Sequence, residues 1–260
     1  MKPLKSSSSH PSQAPRRTAI GLIVAVAMTL SLVAPGSAAA GGSGGSGSAG
    51  LSANPAFGPL SVKYWQWLLS IPAASNPGAV PADDPARACA PGQSGPVVFL
   101  AGSFGSAPVT RTCTVPRGKP LFFPLINTIS VSTEPPQTAP ELWRELQVTR
   151  AWRMDTLSLK VGRVDILKDS RPSALYRGCA GPERGCAPGS FTFTLPNDPV
   201  FLEPGRYGPA IADGYYALLP PLPRGTTTIT FGGAGTWIPD PDTGEVVKWA
   251  QDVTYELHVR

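Results

Sequence analysis

Over the last nine residues of the chain, apolar and polar side chains alternate without a break. Val253, Tyr255, Leu257 and Val259 fall on one face, and Asp252, Thr254, Glu256 and His258 on the other. A period of two is the mark of a strand with one side on a core and the other in water. Residues 226–231 repeat it, with Thr227, Ile229 and Phe231 opposed to Thr226, Thr228 and Thr230. Residues 215–219 form an apolar run just upstream, and the intervening Pro-Pro-Leu-Pro-Arg-Gly at 220–225 must turn the chain. The pattern predicts the closing strands of an antiparallel β-sandwich, onto which earlier strands pack.

The rest of the chain supplies those strands and two helices. At 61–71, Val62, Trp65, Leu68 and Leu69 recur at helical spacing, with Ser61 as N-cap and Pro72 as the stop. The aromatics Tyr64, Trp65 and Trp67 of this helix read as a plug for one end of the sandwich, with a sugar-stacking platform as the functional alternative. Residues 76–94 are loop. The continuous apolar runs at 96–101 and 120–126 predict central strands covered on both faces. Between them, 109–115 alternates, placing Val109, Arg111, Cys113 and Val115 on one side. Residues 102–107 and 117–119 read as hairpin turns. A second helix is predicted over 138–154. Thr138 and Glu141 form a capping box there, Pro140 sits in the first turn, and Leu142, Leu146 and Thr149 line one face. Residues 156–161 and 163–167 pair around Gly162, and 190–195 turns Phe191, Phe193 and Leu195 inward. The predicted fold is mainly all-β, a single antiparallel sandwich or jelly-roll-like domain over 54–260 with a short N-terminal helix and one internal helix.

Composition agrees: 31 Pro, 28 Gly and only 15% charged residues suit short strands and tight turns better than a helical bundle. The N-terminal forty residues read differently. Residues 1–18 carry only basic charges, 19–33 are uncharged and apolar, and Ser37-Ala38-Ala39-Ala40 offers small side chains for cleavage. That is the layout of a secretory signal, and the apolar run is short beside the roughly 20 residues of a membrane span. Arg16-Arg17 is followed by Thr18-Ala19-Ile20, a poor fit to a twin-arginine signal. Residues 41–53 form a Gly/Ser-rich flexible segment. Export, to the outside of the cell or the periplasm, is the expectation, with no membrane span left after cleavage. Of the formal charge of +5, Lys2, Lys5, Arg16 and Arg17 leave with the signal, so the remainder is near neutral and lacks the basic footprint of a nucleic-acid binder.

Four cysteines in an exported chain imply disulfides. Cys179 and Cys186 bracket a loop whose two glycines and proline let it close on itself, which leaves Cys89 with Cys113; three connectivities are formally possible. No Cys-x-x-Cys and no neighbouring histidine point to zinc. Beyond the signal, His258 is the sole histidine, on the polar side of the terminal strand. No Gly-x-Ser-x-Gly elbow accompanies it in the globular part, so it reads as a surface histidine. Asp155, Asp165, Asp169, Asp213, Asp252, Glu134, Glu141, Glu145 and Glu203 include enough acids for a two-carboxylate hydrolase, whose pair must stand about 5–10 Å apart, but no spacing singles out a pair. Asp213, before Gly214, Tyr215 and Tyr216, is the best single candidate; its ordinary role would be an Asx turn. Asp-Pro-Asp-Thr-Gly-Glu at 240–245 matches a calcium loop in part but lacks its third acid and distal glutamate, and a hairpin turn accounts for it. Trp237 and Trp249 flank this stretch, either paired across it or facing out as a binding platform.

Several blocks together carry a resemblance: Tyr64-Trp65-Gln66-Trp67, the stretch 89–102 with Gln93, Gly95-Pro96, Phe99-Leu100-Ala101-Gly102, then Arg111, Cys113, 115–127, Ala212-Asp213-Gly214-Tyr215-Tyr216 and Asp252-Val253-Thr254-Tyr255. In this order they resemble a family of secreted bacterial proteins with no assigned activity. The resemblance covers most of 60–260 and implies one domain; it brings no catalytic residues. Without a nucleophile–base set, the chain reads as a non-enzymatic binding module for glycan, cell envelope or another protein. Trp237, Trp249, Tyr215 and Asp213 are the candidate contacts, and no cofactor or metal is expected. A carboxylate-dependent hydrolase of polysaccharide or cell-wall material is the alternative.

Overall fold

The computed structural model describes residues 53–79, 89, 93–149, 153–236 and 248–260, the backbone alone at 147–149, 153–154, 236 and 248. The expected signal, residues 41–52 of the Gly/Ser segment, Trp237 and the 240–245 motif lie outside these residues, while Ala53 is buried.

Two sheets face each other. In the first, β1 (Val98–Phe99), β3 (Leu121–Val131), β9 (Gly205–Leu219), β6 (Arg177–Gly181) and β7 (Ala187–Pro188) lie side by side in that order, and β8 (Phe191–Leu195) also pairs with β9. In the second the order is β2 (Val109–Val115), β11 (Lys248–Val259), β10 (Gly225–Thr236), β4 (Arg153–Val161) and β5 (Val164–Ser170). The core between them takes Leu121, Phe123 and Leu125 from β3, Ile229 and Phe231 from β10, and Val253, Tyr255, Leu257 and Val259 from β11. The alternation read in the terminal strand is thus the inward face of the second sheet.

A helical layer covers the other face of the first sheet. Helix α1 (Phe57–Leu69) lays Phe57, Tyr64, Trp65 and Leu68 on Phe122, Ala212 and Tyr216. Strand β3 is therefore apolar without alternation because both sides are buried: Phe122 faces the helix, Leu121 and Phe123 the opposite sheet. A bulge at Leu125, skipped in the pairing with β9, turns both Leu125 and Ile126 into the inter-sheet core. Helix α2 (Ala139–Thr149) buries Leu142, Trp143 and Leu146 against Cys179 and Ile211. The expected capping box forms in one direction, Glu141 Oε2 accepting both the Thr138 N–H and its Oγ–H at 2.7 Å.

The sandwich is mixed where antiparallel strands were expected. The pairs β1–β3, β2–β11 and β6–β7 are parallel. Residues 102–107 and 117–119 are not hairpin turns, because β1, β2 and β3 belong alternately to the first, second and first sheet. An apolar period says which face a residue takes but not which strand lies beside it. The 96–101 run gives only a two-residue edge strand. Helix α1 starts before Ser61, which is buried inside it and donates to the Gly58 carbonyl at 2.8 Å. The N-cap is Ala56, without a side-chain cap, and Asn54 fixes the turn just ahead of it, its Oδ1 accepting the Ala56 N–H at 3.1 Å and its carbonyl the Phe57 N–H at 3.0 Å. Pro59 falls in the first turn, where a missing N–H costs nothing. Helix α2 ends at Thr149, and Met154 belongs to β4. The β4–β5 hairpin turns at Gly162 (φ 59°), a left-handed position that favours glycine.

Both expected disulfides form, Cys89–Cys113 with Cα atoms 5.3 Å apart and Cys179–Cys186 at 4.7 Å. No described helix is long and apolar enough to cross a membrane.

Candidate functional site

Between α1, β1 and the second sheet lies a cavity of about 150 Å³. Trp67, Gln93, Phe99, the Cys89–Cys113 bridge and Tyr255 line it. Each wall has a local cause. Tyr64, Trp65 and Leu68 turn α1 inward, which leaves Trp67 over β1, its ring 5.5 Å from Phe99 and tilted by 37°. Strand β1 hydrogen-bonds to the β3 side through Val98 and Leu100, so the Phe99 backbone points outward. Gln93 satisfies that free edge: its Oε1 accepts the Phe99 N–H at 2.6 Å and its Nε2 donates to the Phe99 carbonyl at 2.9 Å. The Gln93 amide is thus spent on the backbone. The Trp67 indole N–H is buried and has no acceptor.

Behind the cavity wall, the stretch after β1 is pinned between the sheets by polar side chains. The Gly102 N–H donates to Tyr64 Oη at 3.1 Å, and the Ser103 N–H to Gln251 Oε1 at 3.1 Å. The same Gln251 amide donates to the carbonyls of Pro124 and Leu125, at 2.9 and 3.0 Å, at the β3 bulge. A Cβ at Gly102 would strike Gln251 Oε1 and push that amide off its hydrogen bonds. The Ala101 carbonyl accepts both Arg111 Nη1 at 2.8 Å and Tyr255 Oη–H at 3.1 Å. Arg111, paired with Tyr255 across β2 and β11, points inward and is 2% exposed. Burial pushes the phenols of Tyr64 and Tyr255 above their ordinary value, although Arg111 pulls against it at Tyr255, so both stay neutral hydrogen-bonding groups.

A second polar cluster surrounds Asp213. The residue lies within β9, not at a strand start or in an Asx turn, and is buried. Arg177 on the neighbouring β6 meets it, Nη2 to Oδ2 at 2.8 Å, with Nε 3.2–3.3 Å from both carboxylate oxygens. Glu183 closes on the same guanidinium at 2.7 and 2.8 Å. Burial pulls the Arg177 pKa down, but the hydrogen bonds and charges of Glu183 and Asp213 outweigh it and hold the guanidinium above its ordinary value. Cys179 lies opposite Asp213 in the register, and its bridge to Cys186 closes the loop that carries Glu183.

Tyr215 lies opposite Arg177 in the ladder and is half-buried at the margin of the inter-sheet core. Trp249 lies opposite Gly235 in the β10–β11 ladder and packs partly buried on the same core. His258 lies on the outer face of β11, its Nδ1 3.1 Å from Thr226 Oγ1. Among the described residues, no group of three or more His, Cys, Asp or Glu side chains could hold a metal ion.

Sequence reasoning gave no site role to Arg111, Arg177, Glu183, Gln93 or Gln251, although Arg111 and Gln93 stand in the resembling blocks and Arg111 puts a charge on the apolar face of an alternating strand. The others are polar residues that only their neighbours explain.

Fold and site define a disulfide-bonded mixed β-sandwich, capped by helices and holding a ring-sized cavity at one edge. No family model, no curated protein and no solved structure matches the chain.

Proposed function

We propose that the protein is an exported, non-enzymatic binding module. Its ligand is a glycan or another cell-envelope component that presents one ring-sized group to the cavity beside Trp67. The observation that carries this reading is a small cavity walled by two tilted aromatic rings, Trp67 and Phe99, where the Trp67 N–H lacks an acceptor. Apolar ring faces stack on the faces of sugar rings, and an indole N–H seeks a partner when buried. A volume of about 150 Å³ takes a benzene-sized guest, which suits an end group better than a polymer running through a cleft. The binding reading is also favoured because Asp213, the leading candidate for carboxylate chemistry, is held by Arg177. The two disulfides suit an oxidising destination.

The test is an isotherm with glycan and cell-wall fragments on wild type and Trp67→Phe, beside a thermal melt. The variant keeps an aromatic ring and loses the N–H. A neutral hydrogen bond is worth about 0.5–1.5 kcal/mol, so binding should weaken roughly two- to tenfold in a variant that still folds. Unchanged affinity in folded Trp67→Phe would remove the cavity from the reading. Turnover of the same fragments that single-acid variants abolish would make the protein a hydrolase.

A further inference from the structure

Arg111 is a fully buried guanidinium whose hydrogen bonds fall on one side only. Nη1 is held by the Ala101 carbonyl and Tyr255 Oη, at 2.8 and 3.0 Å. Nε and Nη2 are buried and have no hydrogen-bond partner. Those two nitrogens carry the parallel N–H pair along one edge of the guanidinium, the edge that matches the two oxygens of a carboxylate. Arginine does not shed its proton in a protein, so the buried positive charge has to be answered by something. The Tyr255 ring, with its centroid 5.4 Å from Cζ, answers part of it as a cation–π partner. Both protein groups that accept from Arg111 are neutral, and among the described residues no carboxylate pairs with it. Arg177 is the internal contrast: 7% exposed, it is closed by two carboxylates.

We propose that Arg111 is the anchor of a small-anion site inside the sandwich, which takes a carboxylate-type anion on its Nε–Nη2 edge. Ala101 and Tyr255, which hold Nη1, also line the cavity, so the guanidinium stands behind one wall of it. Burial explains why a counter-charge is needed there: an ionised group without one is costly in a low-dielectric interior, and a paired one much less so. The site does not depend on the glycan reading. It stands or falls on whether an anion occupies this edge.

Two measurements decide it on the full mature protein. The first is a crystal of wild type soaked in bromide, with anomalous scattering as the locator. A bromide peak within hydrogen-bond reach of Nε and Nη2 is the expected result. The second is a thermal titration with formate at fixed ionic strength on wild type and on Arg111→Met, which fills the volume without charge. Wild type should gain melting temperature saturably with formate, and Arg111→Met should lose that response while melting no lower than formate-free wild type. Only water on the Nε–Nη2 edge of the soaked crystal overturns the proposal, as does a folded Arg111→Met that responds to formate like wild type. If Arg111→Met does not fold, the bromide experiment decides alone.

Discussion

Arg111 and Arg177 are the two buried arginines among the described residues, and they are held in opposite ways. Arg177 sits between Asp213 and Glu183, with side-chain exposures of 9% and 5% for the arginine and Asp213. Removing one partner of such a pair leaves the other charge buried and unanswered, at about 3–5 kcal/mol. Arg177→Met should therefore destabilise the domain by that amount in a denaturant titration. A variant that loses well under 1 kcal/mol would mean that water reaches Asp213 and that the triad is a surface feature. The same geometry bears on Asp213 as a candidate for chemistry. In the sequence it is an acid beside a glycine and two tyrosines. In the fold its carboxylate is engaged by a guanidinium two strand positions away across a ladder, a neighbour that no local window contains.

At the scale of elements, the two disulfides do different work. Cys89–Cys113 spans 24 residues and Cys179–Cys186 spans 7. Chain entropy then gives the longer loop an advantage of about 1 kcal/mol. Replacing Cys89 and Cys113 by serine should lower the melting temperature more than replacing Cys179 and Cys186. The short bridge has an additional task, because its loop presents Glu183 to Arg177. The double serine variant at 179 and 186 and Glu183→Gln should therefore be non-additive in a double-mutant cycle. Strictly additive losses would show that Glu183 holds its place without the bridge. Helix α1 shows the limit of local rules at this scale. Ser61 has the side chain of an N-cap, but Phe57 finds Phe122 across the layer and the helix starts where that contact can form.

For the whole molecule, β11 is the decisive strand. It pairs along its length with β10 on one side and with β2 on the other, and it supplies Val253, Tyr255, Leu257 and Val259 to the inter-sheet core. Truncation before Asp252 opens two ladders and strips that face, so the shortened protein should show no cooperative thermal transition. A cooperative melt near the wild-type temperature would overturn this view of the sheet. What the chain determined by itself is what repeats along it. The period of two fixed the inward faces of β8, β10 and β11, an uninterrupted apolar run marked β3 as covered on both sides, and the capping box placed the start of α2. The short Gly- and Pro-containing loop pointed to the 179–186 bridge. Only the tertiary structure decided which strands became neighbours, that three pairs run parallel, that Gln93 and Gln251 serve backbone edges, and that Arg111 and Arg177 meet different surroundings. Periodicity is a property of neighbours in sequence, whereas strand order and the partners of a buried charge depend on segments that can lie 36 residues apart, as Arg177 and Asp213 do, or 144, as Arg111 and Tyr255 do, and that become adjacent only in the folded sheets.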